Sequence, residues 1–235
     1  MKMNGSDVAI IGIMASMIIM AGYIPIIPIF GTGYTISLGS VLIQVVAVLL
    51  GPLIGALTVL TGSFSGMMVT GQGFQFLFFI PATIGALTTA LLAWNRHREG
   101  ILLFGASIIL WYISPLGLKL WYYPYLHLML FAIIVVWVRF AKESDMGDYR
   151  VKFISIALFC TAGVLCDHLL GSIIAMFPPF ELPAEAYRFI LFIYPIERIM
   201  IGVVSAVVAI PVLRAIQNTP LSIIRKNEEA SVDTN

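Results

Sequence analysis

Two pairs of ionisable side chains stand inside otherwise lipid-like runs. Asp167 and His168 interrupt CTAGVLCDHLLGSIIAMFPP (160–179), and Glu197 and Arg198 interrupt YPIERIMIG (194–202). Charge in such a run is costly unless something pairs with it or uses it. Carboxylates beside an imidazole offer acid–base work, metal ligation or a proton path, and a guanidinium offers a fixed positive partner for an anionic group. Tyr194, Glu197, Arg198 and Ile201 follow i,i+3/i+4 spacing and share one helix face. An antiparallel hairpin turning near Pro178 puts all four charged or ionisable residues at similar depth, roughly 15 Å from the turn at 1.5 Å per residue. Two readings of that set stay open. In one, Asp167 pairs with Arg198 and His168 with Glu197, neutralising one another and locking two helices together. In the other, they floor an outward cavity where Arg198 or Glu197 meets a charged group of a substrate. Proton relay and metal ligation are further uses of the same residues.

A second polar set falls in connecting segments. Tyr34 and Thr35 in FGTGYT, with Gln72 and Gln75 in TGQGFQF, are placed to hydrogen-bond a substrate from above. Gln44, inside an apolar run, is expected to bond a neighbouring helix. His127 follows WYYPY and is expected at a membrane interface, while Lys119 and Arg188 snorkel to the outer surface. Cys160 and Cys166, the only cysteines, lie six apart in one expected helix, too far for a disulfide. They read as small packing residues, and no Cys/His spacing of a zinc site is present.

The elements that must carry these residues are apolar helices. The 235 residues are 60% hydrophobic and 11% charged, with mean hydropathy +1.01. Soluble domains carry roughly 25% charge, so lipid is the expected solvent. A formal net charge of +1 excludes the basic face that nucleic-acid binding needs. Eight apolar segments can be drawn, at about 7–29, 36–50, 52–70, 75–94, 101–116, 123–140, 151–176 and 186–215. The first suits a retained span better than a removable signal peptide. The second and third meet at Gly51-Pro52 as a tight pair of short or tilted helices.

The expected fold is an all-α, polytopic membrane helical bundle of six to eight helices. Cations in NRHREG (95–100), RFAKESDMGDYRVK (139–152) and the tail put both termini on the cytoplasmic side. Residues 1–215 form one transmembrane domain and 216–235 a polar cytoplasmic tail. Trp121, Tyr122, Tyr123 and Tyr125 would belt the outer interface, Trp94 and Trp137 the inner.

Residues 36–67, ISLGSVLIQVVAVLLGPLIGALTVLTGSFSGM, recur to small side chains, with Gly51/Gly55 and Gly62/Gly66 as i,i+4 pairs. They follow a small-residue first helix and a Pro/Gly connection, YIPIIPIFGTGYT. Over about residues 7–94 this order of parts resembles the membrane-embedded substrate-binding subunit, or S component, of energy-coupling factor transporters. The resemblance implies a vitamin or micronutrient importer subunit of a bacterial or archaeal cell membrane, multi-pass, binding its small molecule near the extracellular face. It implies a scaffold transmembrane subunit and paired cytoplasmic ATPases as partners, and the first outer loop as a lid. It also implies a docking face on the first helix, here Ala9, Gly12, Ala15 and Ser16, although strict AxxxA spacing is absent. The family's usual core has six helices; a hairpin at about 101–140 would account for the excess.

Substrate capture is therefore the leading expectation, with no catalytic residues, cofactor or metal. Tyr34, Gln75, Asp167, His168, Tyr194, Glu197 and Arg198 are the candidate substrate-binding residues. No Walker motif is present, so any ATP must be used by another subunit. An intramembrane enzyme using Asp167, His168 and Glu197 is the main alternative, though no HExxH or GxSxG occurs. A stand-alone secondary transporter is the third, and it should show an inverted repeat, which the two halves lack.

Overall fold

The computed structural model describes residues 5–28, 35–69, 77–140 and 148–216, which form seven α-helices and one short strand pair. In chain order these are α1 (Gly5–Gly22), β1 (Pro25–Pro28), β2 (Thr35–Ser37), α2 (Leu38–Val69), α3 (Phe79–Ala93), α4 (His97–Ile113), α5 (Tyr125–Phe140), α6 (Tyr149–Ile174) and α7 (Ala184–Ala215). Four of them, α1, α2, α6 and α7, are long and apolar enough to cross a membrane. The chain is that of a membrane-embedded helical protein. The first expected segment is shorter than anticipated, because the chain leaves α1 at Gly22 and enters an antiparallel ribbon pairing Pro25 with Ser37.

The second and third expected segments share α2, but the helix is broken between them. Gly51 has φ 81° and ψ −174°, a conformation open to glycine and strained for other residues. Pro52 then starts the second half, where a missing N–H does no harm. The halves fold back on each other: a Cβ at Gly55 would lie 3.3 Å from the Ala47 Cα, eight residues away in sequence. The tight pair read at Gly51-Pro52 is what forms.

In lipid, apolar burial between helices gains little, since acyl chains are as apolar as leucine; close backbone approach and polar contacts decide the packing. Gly85 on α3 and Gly163 on α6 abut, so that a Cβ on Gly163 would collide with Thr89 Oγ1 and the Gly85 carbonyl. Gly202 on α7 sits against Thr161 of α6 in the same way. Gly62 in the second half of α2 takes Ala15 and Ile18 of α1, 3.1 Å from the Ala15 carbonyl. The Thr89 hydroxyl donates to Gln44 Oε1, joining α3 to α2 as Gln44 was expected to do. Buried hydroxyls of Thr58, Thr161 and Ser205 donate to carbonyls four residues back, which removes their cost in an apolar interior.

α6 lies at the centre, packed on α2, α3, α4, α5 and α7. It is shared by two cores. An aliphatic core joins α2, α3, α6 and α7, with Ile18 of α1 at its edge. An aromatic core, with Phe104, Trp111, Tyr123, Tyr187 and Tyr194, joins α4, α5, α6 and α7. Trp94 donates to the Val48 carbonyl at 3.0 Å, Trp137 to Ser155 Oγ at 3.0 Å, and Arg214 caps the Tyr149 ring at 4.8 Å. These contacts gather the C-terminal ends of α3, α5 and α7 at one end of the bundle, with Arg96, Arg98, Arg139, Arg150, Lys152 and Arg214. The opposite end carries Lys119 and Arg188 among the described residues.

Candidate functional site

His168 is carried on α6 about two turns before its C-terminal end, on the face toward α5 and α7. Tyr194 of α7 stacks on it, ring centroids 4.5 Å apart and planes within 20°. The connection between α4 and α5 turns inward, so that Tyr123 also stacks beside His168 at 5.9 Å. His127, the third residue of α5, completes the group at 5.8 Å from His168 and 5.7 Å from Tyr194. All four rings are buried, His127 completely. His127 was expected at an interface and Tyr123 in an aromatic belt; the inward path of residues 115–124 places both inside instead. Sequence reasoning missed them because the WYYPY cluster has the composition of a membrane belt.

Hydrogen bonds fix these rings. His127 Nε2 lies 3.1 Å from the Leu165 carbonyl. A carbonyl only accepts, so that nitrogen carries the hydrogen, and in the neutral ring Nδ1 is left as an acceptor. Tyr123 Oη lies 3.3 Å from both His168 Nε2 and Ser172 Oγ. Tyr194 Oη donates to the Tyr123 carbonyl at 2.9 Å, and Tyr187 Oη to the Ser172 carbonyl at 2.8 Å. Pro195, next to Tyr194, has no N–H, so the Leu191 carbonyl lacks its helical donor beside the cluster.

Several polar atoms around this cluster are buried without a hydrogen-bond partner: His127 Nδ1, His168 Nδ1, Trp111 Nε1, Glu197 Oε1 and Arg198 Nε. Native interiors leave few such atoms, and each unpaired one costs about 1–3 kcal/mol. The Arg198 charge acts on Tyr123, His127, Asp167, His168 and Glu197, so it is the common cation of the cluster. No ion pair within 4.0 Å forms among Asp167, His168, Glu197 and Arg198; among the described residues Arg96 and Glu99 make one, at 2.9 Å. The expected pairings Asp167–Arg198 and His168–Glu197 are therefore absent.

The reason lies in helix faces and depth. Asp167 is one residue from His168 and so points about 100° away from it. Its Cβ faces α3, 2.9 Å from where a Gly85 Cβ would stand. Gly202 meets Thr161 and Tyr194 meets His168, so the antiparallel register sets Glu197 and Arg198 level with residues 164–166, deeper than His168. Of the seven candidate substrate residues, the structure brings His168, Tyr194, Glu197 and Arg198 around one cluster and sets Asp167 on its α3 side. Tyr34 and Gln75 lie outside the described residues, as does Gln72.

The candidate docking face on α1 is divided. Ala9, Gly12 and Ser16 are exposed along one side, with Ser16 Oγ donating to the Gly12 carbonyl at 2.8 Å. Ala15 is buried against Gly62 and is taken by the bundle's own packing, a correction to its place in that face. Two apolar grooves open elsewhere on the surface. One, about 310 Å³, runs between α3, α4 and α6; the other, about 650 Å³, is lined by Ser16, Met17 and Met20 of α1 with Leu38, Val41 and Val208. Neither includes the unpaired polar atoms. Among the described residues no three His, Cys, Asp or Glu converge as a metal-ligand set, and Cys160 and Cys166 are buried free thiols.

No protein-family model matches the chain, and no solved structure matches it. The chain is similar to an uncharacterized protein of Methanocaldococcus jannaschii, 25% identical over 179 residues. The matched part is 75% of this chain and 60% of that protein, so the chain spans less than two thirds of its relative's length.

Proposed function

We propose that the chain is the substrate-binding subunit of an ATP-driven importer, holding a small molecule between α5, α6 and α7, in the manner of the S components its first three segments resemble. The observation that carries this reading is the cluster of buried, unpartnered polar atoms on His127, His168, Glu197 and Arg198. A helical membrane protein gains nothing by burying such groups unsatisfied, whereas a binding site needs them ready for a ligand. The cation-rich end is the cytoplasmic one by charge bias, and the cluster then lies toward the extracellular face. The exposed Ala9, Gly12 and Ser16 on α1 are the surface for a scaffold helix, since small residues permit close backbone approach.

Co-expression with an energy-coupling scaffold subunit and its paired ATPases tests this directly. A stable complex that accumulates substrate in liposomes only with ATP is the expected result. Ion-gradient-driven uptake by the lone chain, without complex formation, would sink the proposal.

A further inference from the structure

We infer that the cluster between α5, α6 and α7 recognises a zwitterionic small molecule, one bearing a carboxylate and a protonated amine as a free amino acid does. The inference rests on reading this cluster as the substrate site and names the chemistry that site would take. Glu197 and Arg198 are neighbours on α7, each with a buried polar atom that bonds nothing, and they form no ion pair with each other or with Asp167 or His168. Two opposite charges left apart in an apolar interior are complementary to two opposite charges on one ligand. A simple cation would confront Arg198, and a simple anion would confront Glu197 and Asp167; either leaves one buried charge uncompensated, the costly case. A zwitterion compensates both and adds no net charge to the membrane interior.

The neutral groups agree with that division. His127 is held by the Leu165 carbonyl in the tautomer whose Nδ1 accepts, so it adds an acceptor for an ammonium on the Glu197 side. The faces of Tyr123 and Tyr194 surround the same space and favour a cationic nitrogen. Arg198 Nε is a donor only, which fits a carboxylate. The rings are closed to the exterior, and two of them ride on the 115–124 segment and the start of α5. That helix packs mainly on α4 and α6, so a shift of this one unit opens the cluster without disturbing the α2–α3–α6–α7 core.

The test uses the full-length protein in nanodiscs, offered an equimolar mixture of the twenty standard L-amino acids, with retained molecules read by native mass spectrometry. At least one amino acid is expected to be retained. Its decarboxylated amine and its N-acetylated form should each bind at least tenfold more weakly to the unaltered protein. Glu197→Gln should narrow the discrimination against the N-acetylated form, and Arg198→Gln that against the amine. His127→Phe, which keeps the ring stack, should weaken retention severalfold with the thermal midpoint nearly unchanged. No retained amino acid, or equal binding of the single-charge analogues, overturns the inference even if the charge variants fail to fold. Assembly with the scaffold and ATPases in the absence of zwitterion binding would refute this inference alone. Zwitterion binding without assembly would refute the importer and leave the inference standing.

Discussion

At the residue scale, the deciding contacts are between aromatic rings and imidazoles, because nothing else at the cluster is mobile enough or polar enough to choose a geometry. Tyr123 is the hinge of this set: its ring stacks on Trp111 at 4.6 Å, and its hydroxyl reaches His168 and Ser172. Tyr123→Phe keeps the stack and removes the hydroxyl, and it should lower stability by about 0.5–1.5 kcal/mol, seen as a drop in thermal midpoint in detergent. Arg96 and Glu99 provide the contrast. Backbone hydrogen bonding first, then the Arg96 side chain, holds the Glu99 carboxyl below its ordinary range. A lowered folded-state value means the stabilisation is present at neutral pH and fades as pH falls through the carboxylate range. The pair is largely exposed, so Arg96→Ala should change stability by less than about 1 kcal/mol in a denaturation curve at pH 7, and by less still at acid pH.

At the element scale, glycine positions set which helices touch. Gly163→Ala would drive a methyl into Thr89 and the Gly85 carbonyl, groups that cannot swing aside without breaking the Gln44 contact. Overpacking of this kind typically costs about 1–3 kcal/mol, and the expected readout is loss of the monodisperse peak on size exclusion after mild heating. Gly12 is the opposite case, with nothing within 4 Å of an added Cβ. Gly12→Leu should leave the thermal midpoint of the isolated chain unchanged or slightly raised, while reducing co-purification with a scaffold subunit severalfold. Unchanged co-purification would remove α1 from the proposed interface. The spacing of small residues was legible at Gly51/Gly55 and Gly62, which do make close approaches. Gly85, Gly163 and Gly202, whose contacts are tighter still, carry no i,i+4 partner glycine and gave no local signal.

At the scale of the whole molecule, seven helices run up and down with their connections alternating between the two ends. Cysteines placed singly at Lys119 and Arg96, in a background with Cys160 and Cys166 replaced by Ala, should separate cleanly in accessibility. A membrane-impermeant maleimide added to intact cells is expected to label Lys119→Cys and spare Arg96→Cys. The reverse pattern would invert the molecule and put the aromatic cluster near the cytoplasm, away from any extracellular substrate. Helix number and rough limits were readable in advance because an apolar run announces itself by length. The end of α1 at Gly22 was not, since the strand that follows is as apolar as the helix.

The sequence by itself determined that this is a bundle of apolar helices, that α2 must break at Gly51-Pro52, and that Asp167, His168, Glu197 and Arg198 lie within the membrane-embedded part. Those properties follow from local composition and backbone chemistry, which act along the chain. Only the tertiary structure decided what the four residues face. One residue of difference on a helix turns a side chain by about 100°, so Asp167 goes to α3 and His168 to Tyr194. The inward path of residues 115–124 then brings Tyr123 and His127, distant in sequence and belt-like in composition, to the same place. A pair of salt bridges was the natural expectation from spacing alone; register and helix face replaced it with an aromatic–imidazole cluster whose charges wait unpaired.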